Sequence, residues 1–161
     1  MTAKEFYEKC MAEEEKYIFP EFARSDVWGL GCRIIDAAKS FKGPLAVTIW
    51  INGAEVFSYY PEGTGKFHDM WLTRKRNTVT TVGMASMTWK AKLAYTGSCL
   101  EDEGLDPKKY VACGGGFPIR LKGGCIIGFI GCSGLSDQED HDAILAGLDL
   151  FFEDKGWKTE S

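Results

Sequence analysis

Residues 113–152 read CGGGFPIRLKGGCIIGFIGCSGLSDQEDHDAILAGLDLFF. A triple-glycine turn is followed by a second glycine turn, an apolar strand, a loop and a helix. Ser136 and Glu139 have the spacing of a capping box, which predicts where that helix begins. The strand at 125–132 is apolar on both faces, so it is expected to be central in a sheet and covered on both sides. The apolar positions of the helix are Ile144, Leu145, Leu148, Phe151 and Phe152.

The N-terminal part of the chain predicts two helices joined by an extended segment. Apolar pairs four positions apart indicate a short amphipathic helix over residues 3–17. Pro20 blocks continuation of the helix, so residues 18–22 are expected to be extended. Ser25 is the predicted N-cap of a second helix, which ends before Gly43.

A β-hairpin is the clearest local prediction. The apolar run at 45–51 and the alternating run at 54–60 flank Asn52-Gly53. Asn-Gly is the preferred pair for a two-residue type I′ turn, so the two runs are expected to pair antiparallel. The hairpin aromatics are predicted to line a pocket or a subunit contact; they are Trp50, Tyr59 and Tyr60.

One long helix is predicted from about Asp69 to Ala94, with a kink at Gly83. After a loop, residues 110–113 are predicted to form another strand. The helix stripe that faces the core consists of Leu72, Val79, Val82, Ser86, Trp89 and Leu93. Together the elements indicate one α/β domain (α+β in layout) over 1–161, with a helical extension at 1–20 and an antiparallel sheet packed against helices.

Composition excludes several classes of protein. The chain has 161 residues, 45% hydrophobic and 26% charged, which is typical of one globular domain. Its net charge of −4 gives no general attraction to nucleic acid. The longest apolar runs, at 45–51 and 125–132, are too short to span a bilayer. With no signal-peptide pattern at the N-terminus, we expect a cytoplasmic protein without nucleic-acid or membrane partners.

The six cysteines are expected to be scattered buried thiols. No C-x-x-C pair occurs, and a structural zinc site or a redox pair is the alternative. The two histidines, His68 and His141, show neither H-x-x-x-H nor H-E-x-x-H spacing. No metal site is therefore predicted.

The strongest candidate for chemistry is the segment from His68 to Asn77. Asp69 is the predicted cap of the long helix, which places His68 just before the helix and Trp71 on its first turn. Arg74, Lys75 and Arg76 are consecutive, so they fan over about 200° and cannot all face one ligand. One or two of them are expected to meet a carboxylate or a phosphate. The alternative is a solvated basic face or a subunit interface.

The triple glycine is the second candidate. Consecutive glycines permit close backbone approach, and their N–H groups form an anion nest in some proteins. A tight turn between strands is the alternative, because the segment lacks both common nucleotide-binding patterns. Joined to the first candidate, it gives this predicted ligand-binding set: His68, Asp69, Trp71, Arg74, Lys75, Arg76, Gly115, Gly116 and Phe117. His68 and His141 are the candidate catalytic residues.

Three elements together resemble the GlcG/HbpS-like superfamily, often labelled haem-degrading domain, in its "uncharacterised protein family" branch of bacteria and yeast. They are HDMW with RKRN at 68–77, GGGFPI at 114–119, and GCSGL at 131–135 with Asp140-His141. The resemblance implies a profilin-like three-layer α/β/α fold with a five-stranded antiparallel sheet. It also implies homodimers or larger rings, and haem or another small molecule as ligand in some relatives.

Three functions compete at this point. The first is a homo-oligomeric protein that binds a small anionic molecule, haem among the candidates, between the start of the long helix and the GGGFPI loop. The second is an interaction scaffold or chaperone adaptor that uses its exposed aromatic surface. The third is an enzyme in which His68 or His141 transfers a proton while Arg74 or Arg76 stabilises an anion.

Overall fold

Over residues 1–159 the fold contains five α-helices and four β-strands. It is given by a computed structural model that describes residues 1–159. The helices are α1 (Ala3–Lys16), α2 (Val27–Ala38), α3 (Lys66–Val82), α4 (Ser86–Thr96) and α5 (Asp137–Lys155). The strands are β1 (Ala46–Ile51), β2 (Ala54–Tyr59), β3 (Gly116–Arg120) and β4 (Ile126–Ser133).

The four strands form one antiparallel sheet in the order β2-β1-β4-β3. The predicted hairpin is confirmed, with β1 and β2 joined at Asn52 (φ 47°) and Gly53 (φ 81°). β4 occupies a central position as predicted. β3 is an edge strand, which suits Pro118 because proline has no N–H to donate to a second neighbour.

The sheet has four strands where five were predicted, and residues 110–113 are not a strand. The Thr78 hydroxyl of α3 accepts a hydrogen bond from Val111 N at 3.0 Å and lies 2.9 Å from Val111 O. These backbone groups are therefore satisfied by a helix side chain, and the segment lies along α3. The strand that the sequence did not predict is β3, which begins within the triple glycine.

Helices cover both faces of the sheet. On one face, Ile130 of β4 belongs to a core cluster with Ile34 of α2 and Leu148 of α5. On the other face α3 lies close to β4, because a side chain at Gly131 would lie 2.8 Å from Leu72. The alternation of side chains along β4 thus separates the two packed layers.

The predicted long helix is two helices. α3 ends at Val82 because Gly83 adopts the left-handed conformation (φ 72°), and α4 begins at Ser86. The predicted cap at Ser25 is also wrong: residues Arg24–Asp26 form a 3₁₀ turn, in which the Asp26 carboxylate accepts from Ala23 N. The predicted cap at Ser136 is confirmed, since its hydroxyl accepts from Glu139 N at 3.2 Å.

The N-terminal helix α1 packs against α4, where Cys10, Met87 and Ala91 form a small buried cluster. The segment after it continues into the main core through Tyr17 and Phe19. Throughout the described residues, no helix combines the length and the apolar character that crossing a membrane requires.

The cysteines differ in exposure. All six thiols are free, Cys10 and Cys132 are buried, and Cys32 and Cys113 are partly buried. Cys99 and Cys125 are exposed, so the expectation that all six are buried is wrong.

Candidate functional site

A cleft of about 350 Å³ opens where α3 begins. Its other sides are the segment that lies along α3 and the connection from β4 to α5. Of the two elements predicted to form the site, the start of the long helix lines this cleft and the GGGFPI loop does not. It is lined by Phe67, His68, Trp71, Lys75, Val111, Cys113, Ser133, Gly134, Leu135, Asp137 and Asp140.

A buried ion pair lies in the wall of this cleft. Lys75 Nζ is 3.0 Å from Asp140 Oδ2, and the two side chains are only 2% and 4% exposed. Lys75 Nζ also donates to Cys132 O at 2.8 Å, and Asp140 Oδ1 accepts from Leu135 N at 2.9 Å. Burial raises the pKa of Asp140, while the Lys75 ammonium and the backbone N–H oppose that rise. The pair ties α3 to α5.

Gly115 makes room for this ion pair. It has φ +112°, and a side chain there would lie 2.5 Å from Lys75 Nζ and against the carbonyl oxygen of Cys132. Its own carbonyl accepts from Cys132 N at 2.8 Å. The glycine is required for close packing and for its backbone conformation.

The other glycine N–H groups are occupied by protein acceptors. Gly116 N donates to Ser86 Oγ at 2.9 Å, and Gly114 N lies 3.5 Å from Asp137 Oδ2. Gly116 and Phe117 are buried in β3 and do not line the cleft. Two of the three glycine N–H groups are therefore occupied within the protein, and the triple glycine leads from the segment along α3 into β3, behind the cleft.

His68 caps α3 with its ring. Its Nδ1 accepts from Gly65 N at 3.0 Å, so the neutral ring carries its hydrogen on Nε2. The helix begins at Lys66, and Asp69 is therefore not its cap, contrary to prediction. Asp69 bonds instead to Lys66 at 2.7 Å and to Tyr60 at 3.4 Å, outside the cleft.

Trp71 and Phe67 form an aromatic wall, with ring centroids 6.4 Å apart. The Arg74 guanidinium lies 4.4 Å from the Trp71 ring and donates to Pro107 O at 2.8 Å. Arg74 also reaches Tyr110 O at 3.3 Å. This arginine therefore positions Trp71 and the adjoining loop, and it is not among the residues that line the cleft.

The side chains of the three consecutive cationic residues point in different directions, as their spacing predicts. Arg74 contacts a loop, Lys75 is buried beside Asp140, and Arg76 lies over the Trp50 ring at 3.7 Å in a different cleft. Of the predicted ligand-binding set, His68, Trp71 and Lys75 line this cleft, Arg76 lines the other, and the remaining five residues line neither.

His141 is 1% exposed and does not open onto the cleft. Its Nε2 lies 2.8 Å from Glu13 Oε2 of α1, and its ring is 6.3 Å from that of Phe117. Its Nδ1 is buried and has no hydrogen-bond partner among the described residues. The two histidines therefore do not share a pocket, and a paired acid–base role for them has no geometric basis.

Several cleft residues were not predicted, among them the polar residues Ser133, Asp137 and Asp140 and the thiol of Cys113. Asp140 contributed to the prediction only beside His141, in a motif of the family resemblance, and it is one of four acidic residues at 137–142. The pairing with Lys75 spans 65 positions, and no local pattern reveals it. Burial raises the pKa of Cys113, so its thiol is favoured over the thiolate.

Metal ligands are not grouped anywhere in residues 1–159: no three His, Cys, Asp or Glu side chains lie close enough to hold an ion.

Comparison with known proteins supports the predicted resemblance. The family model described as haem degrading protein HbpS-like matches residues 22–149. A UPF0303 protein of Streptomyces coelicolor is 31% identical over 140 residues, covering 86% of this chain and 89% of the relative. One from Streptomyces avermitilis is 33% identical over 141 residues, covering 87% and 86%.

Solved structures share the fold. The crystal structure of Ybr137w protein matches with a TM-score of 0.84 at 26% identity, covering 92% of this chain and 88% of that one. The crystal structure of a PduOC:Heme complex matches at 0.66 and 21% identity, covering 80% and 93%. The matched length and the sequence identity together confirm the predicted family: the chain belongs to the haem degrading protein HbpS-like family, with UPF0303 proteins among its relatives.

Proposed function

We propose that this protein binds a small molecule in the cleft at the start of α3. The observation that carries the proposal is the Lys75–Asp140 ion pair, which lies in the wall of a largely apolar cleft. Burying two charges costs free energy that hydrophobic residues of similar size would not cost. Buried ionisable groups in clefts therefore mark functional sites more often than chance would place them there.

The cleft favours a ligand with a flat apolar body and a hydrogen-bond acceptor such as a carboxylate or a carbonyl. Two of the three ammonium hydrogens of Lys75 go to Cys132 O and Asp140 Oδ2, which leaves one for a ligand. His68 Nε2–H is a second donor. The Trp71 ring supplies a flat apolar face, and the Phe67 ring stands at 82° to it.

Haem held through its iron does not fit the side chains of this cleft. Ligation through His68 Nε2 requires the ring hydrogen to move to Nδ1, where the Gly65 N–H already points. Cys113 favours its thiol form, whereas the thiolate is the form that binds metal. The name of the PduOC:Heme complex nevertheless makes haemin a necessary member of any ligand panel.

Self-association is part of the proposal. Phe67 is 66% exposed and Met70 is 41% exposed, and both lie at the start of α3 beside the cleft. Apolar side chains exposed together favour a subunit contact. Sedimentation velocity tests this part: a monomer at micromolar concentration would contradict it.

One observation supports the alternative function, an interaction scaffold or chaperone adaptor. Trp28 is 72% exposed and Tyr95 is 48% exposed, on helices distant in sequence from the cleft. The adaptor role replaces ligand binding if two results are found together. The oligomer seen by sedimentation still binds a hydrophobic probe at these residues, and the cleft binds none of the ligands.

The ligand proposal is tested by titrating the protein with haemin, naphthoate and naphthamide. Binding is followed by calorimetry and by the melting temperature. Trp71→Leu removes the flat wall and is expected to weaken binding roughly tenfold, by analogy with aromatic contacts in other sites. Trp28→Leu is the matched control, because it makes the same substitution at a tryptophan that does not line the cleft.

Alkylation of Cys113 gives an independent measurement. Since Cys113 lines the cleft, a bound ligand is expected to slow its modification and leave that of the exposed Cys125 unchanged. The proposal fails if no compound in the panel binds. It also fails if binding is equal in wild type and Trp71→Leu and leaves the Cys113 rate unaltered.

A further inference from the structure

A second and larger cleft, of about 460 Å³, lies at the hairpin end of the sheet. It is separate from the first cleft, and no residue lines both. Its walls come from the second half of α3, the hairpin turn and the start of β4. The lining residues are Trp50, Asn52, Gly53, Arg76, Thr80, Ile126, Ile127, Gly128 and Phe129.

Arg76 carries the unusual feature of this cleft. Its guanidinium is stacked on the Trp50 ring at 3.7 Å, but it makes no hydrogen bond or ion pair with any residue between 1 and 159. By contrast, Arg74 and Arg120 each donate to backbone carbonyls. The five N–H donors of Arg76 are thus unused by residues 1–159.

The contact with Trp50 restricts the position of the Arg76 guanidinium. A guanidinium that lies flat on an aromatic ring keeps its N–H edge free, and this edge matches the two oxygens of a carboxylate. Partial burial lowers the pKa of Arg76, which marks lost hydration, while Asp69 and Glu55 oppose the effect from beyond ion-pair distance. An anion brought to this edge would replace the lost water.

Local strand geometry holds Trp50 in place. The pairing of β1 with β2 shifts register between Ile49 and Trp50, and the extra residue at this irregularity, Val56, lies in β2 opposite them. Bulges redirect side chains and are frequent beside binding sites. On its other side Trp50 pairs in register with Phe129 of β4, and both line the cleft.

We propose that this second cleft is a binding site for a small organic acid, with the carboxylate held by Arg76 and its apolar body resting on Trp50, Ile126 and Phe129. Asn52 also lines the cleft, and its side-chain amide makes no hydrogen bond with a described residue, so it is available to the same carboxylate. A single unpaired cation suits a single negative charge. The apolar walls favour an acid with a hydrocarbon or aromatic body over a bare inorganic anion.

The site is tested by fluorine NMR titration with para-fluorophenylacetate, using para-fluorophenylethanol as the neutral counterpart. Arg76→Gln is expected to weaken acid binding roughly tenfold or more, as loss of a charged hydrogen-bond partner does. Arg76→Lys keeps the charge but loses the planar fork, so an intermediate affinity is expected. Lys92→Gln is the matched control, since Lys92 lies over Trp89 at 5.7 Å and outside this cleft.

The variant is expected to fold, because Arg76 has no polar partner in the described chain to lose; a melting curve checks this. The proposal is overturned if Arg76→Gln binds the acid as wild type does, or if the neutral alcohol binds equally well. It is also overturned if inorganic phosphate binds as tightly as the acid. Loss of binding in Trp71→Leu alone would assign the acid to the first cleft. A changed sedimentation coefficient for Arg76→Gln would show instead that the Arg76–Trp50 contact belongs to a subunit interface.

Discussion

Lys75 Nζ lies 3.0 Å from Asp140 Oδ2, and this contact joins α3 to α5 across 65 positions of sequence. Both side chains are almost fully buried. An exposed pair with a shorter distance exists in the same helix: Lys66 Nζ is 2.7 Å from Asp69 Oδ2, with side chains 92% and 38% exposed. Comparing the two pairs therefore separates the effect of burial on the free energy of unfolding from the effect of the N–O distance.

We expect Lys75→Met to lower the free energy of unfolding by about 3–5 kcal/mol, because it leaves Asp140 charged and buried without its partner. Lys66→Met is expected to cost less than about 1 kcal/mol, since water screens the exposed pair. Urea denaturation of both variants checks this. Equal losses of unfolding free energy in the two variants would show that the buried pair is no more important for stability than the exposed pair.

The double variant Lys75→Met with Asp140→Leu is expected to recover most of the stability lost in Lys75→Met. It removes the unpaired charge and replaces the pair by apolar side chains of similar size. Ligand binding in the first cleft is expected to remain impaired, because the donor supplied by Lys75 is gone. Recovered stability together with wild-type affinity would remove Lys75 from the proposed site.

Gly115→Ala is expected to be more destabilising than Gly124→Ala. Both glycines have positive φ, +112° and +98°, so alanine strains the backbone at each by roughly 1–3 kcal/mol. Only at Gly115 does the added carbon meet Cys132 O and Lys75 Nζ; at Gly124 nothing lies within 4 Å. Urea denaturation compares the two, and equal losses would contradict the packing role of Gly115.

Local signals account for the parts of the fold that the sequence predicted. Asn52-Gly53 specifies a turn by itself, and the capping residue Ser136 needs only a neighbour three positions away. The strand predicted at 110–113 failed because its backbone is satisfied by Thr78, which is 33 positions distant. Gly83 was predicted to bend a helix that it in fact ends.

The candidate site, like the fold, was predictable only where its residues lie close together in sequence. His68, Trp71 and Lys75 stand close together in sequence and do line one cleft. Arg76 is adjacent to Lys75, but one further residue turns it by about 100° around the helix into the other cleft. Asp140 depends on the approach of α5 to α3, which is a tertiary contact without a local pattern.

Glu14 gives a prediction about pH. Burial raises the pKa of its carboxyl group, although Arg120, with Nη2 at 3.8 Å, and His141 oppose the rise. A folded-state pKa above the unfolded value means that stability is complete at low pH and is lost as pH rises through the folded pKa. A glutamine side chain is uncharged at every pH, so Glu14→Gln imitates the protonated carboxyl group of Glu14.

The melting temperature of Glu14→Gln is therefore expected to exceed that of wild type near neutral pH. The difference is expected to shrink as the pH falls below the raised pKa, because wild-type Glu14 is then protonated as well. Glu15→Gln, at an exposed position of the same helix, is the control. A difference that stays constant across the pH range would contradict a buried, ionising Glu14.

The thiols are expected to react in an order set by burial. Cys99 and Cys125 are exposed and should be alkylated first in the native protein. Burial raises the pKa of Cys10 to about 12 and also raises that of Cys132, so both lack the reactive thiolate as well as access to reagent. Mass spectrometry of peptides after timed iodoacetamide treatment gives each rate. Cys132 lies at 0% exposure beneath α5, so its rate should equal the rate of global opening and rise with added urea. If Cys132 reacts as fast as Cys125 without denaturant, β4 is not covered in solution as the fold requires.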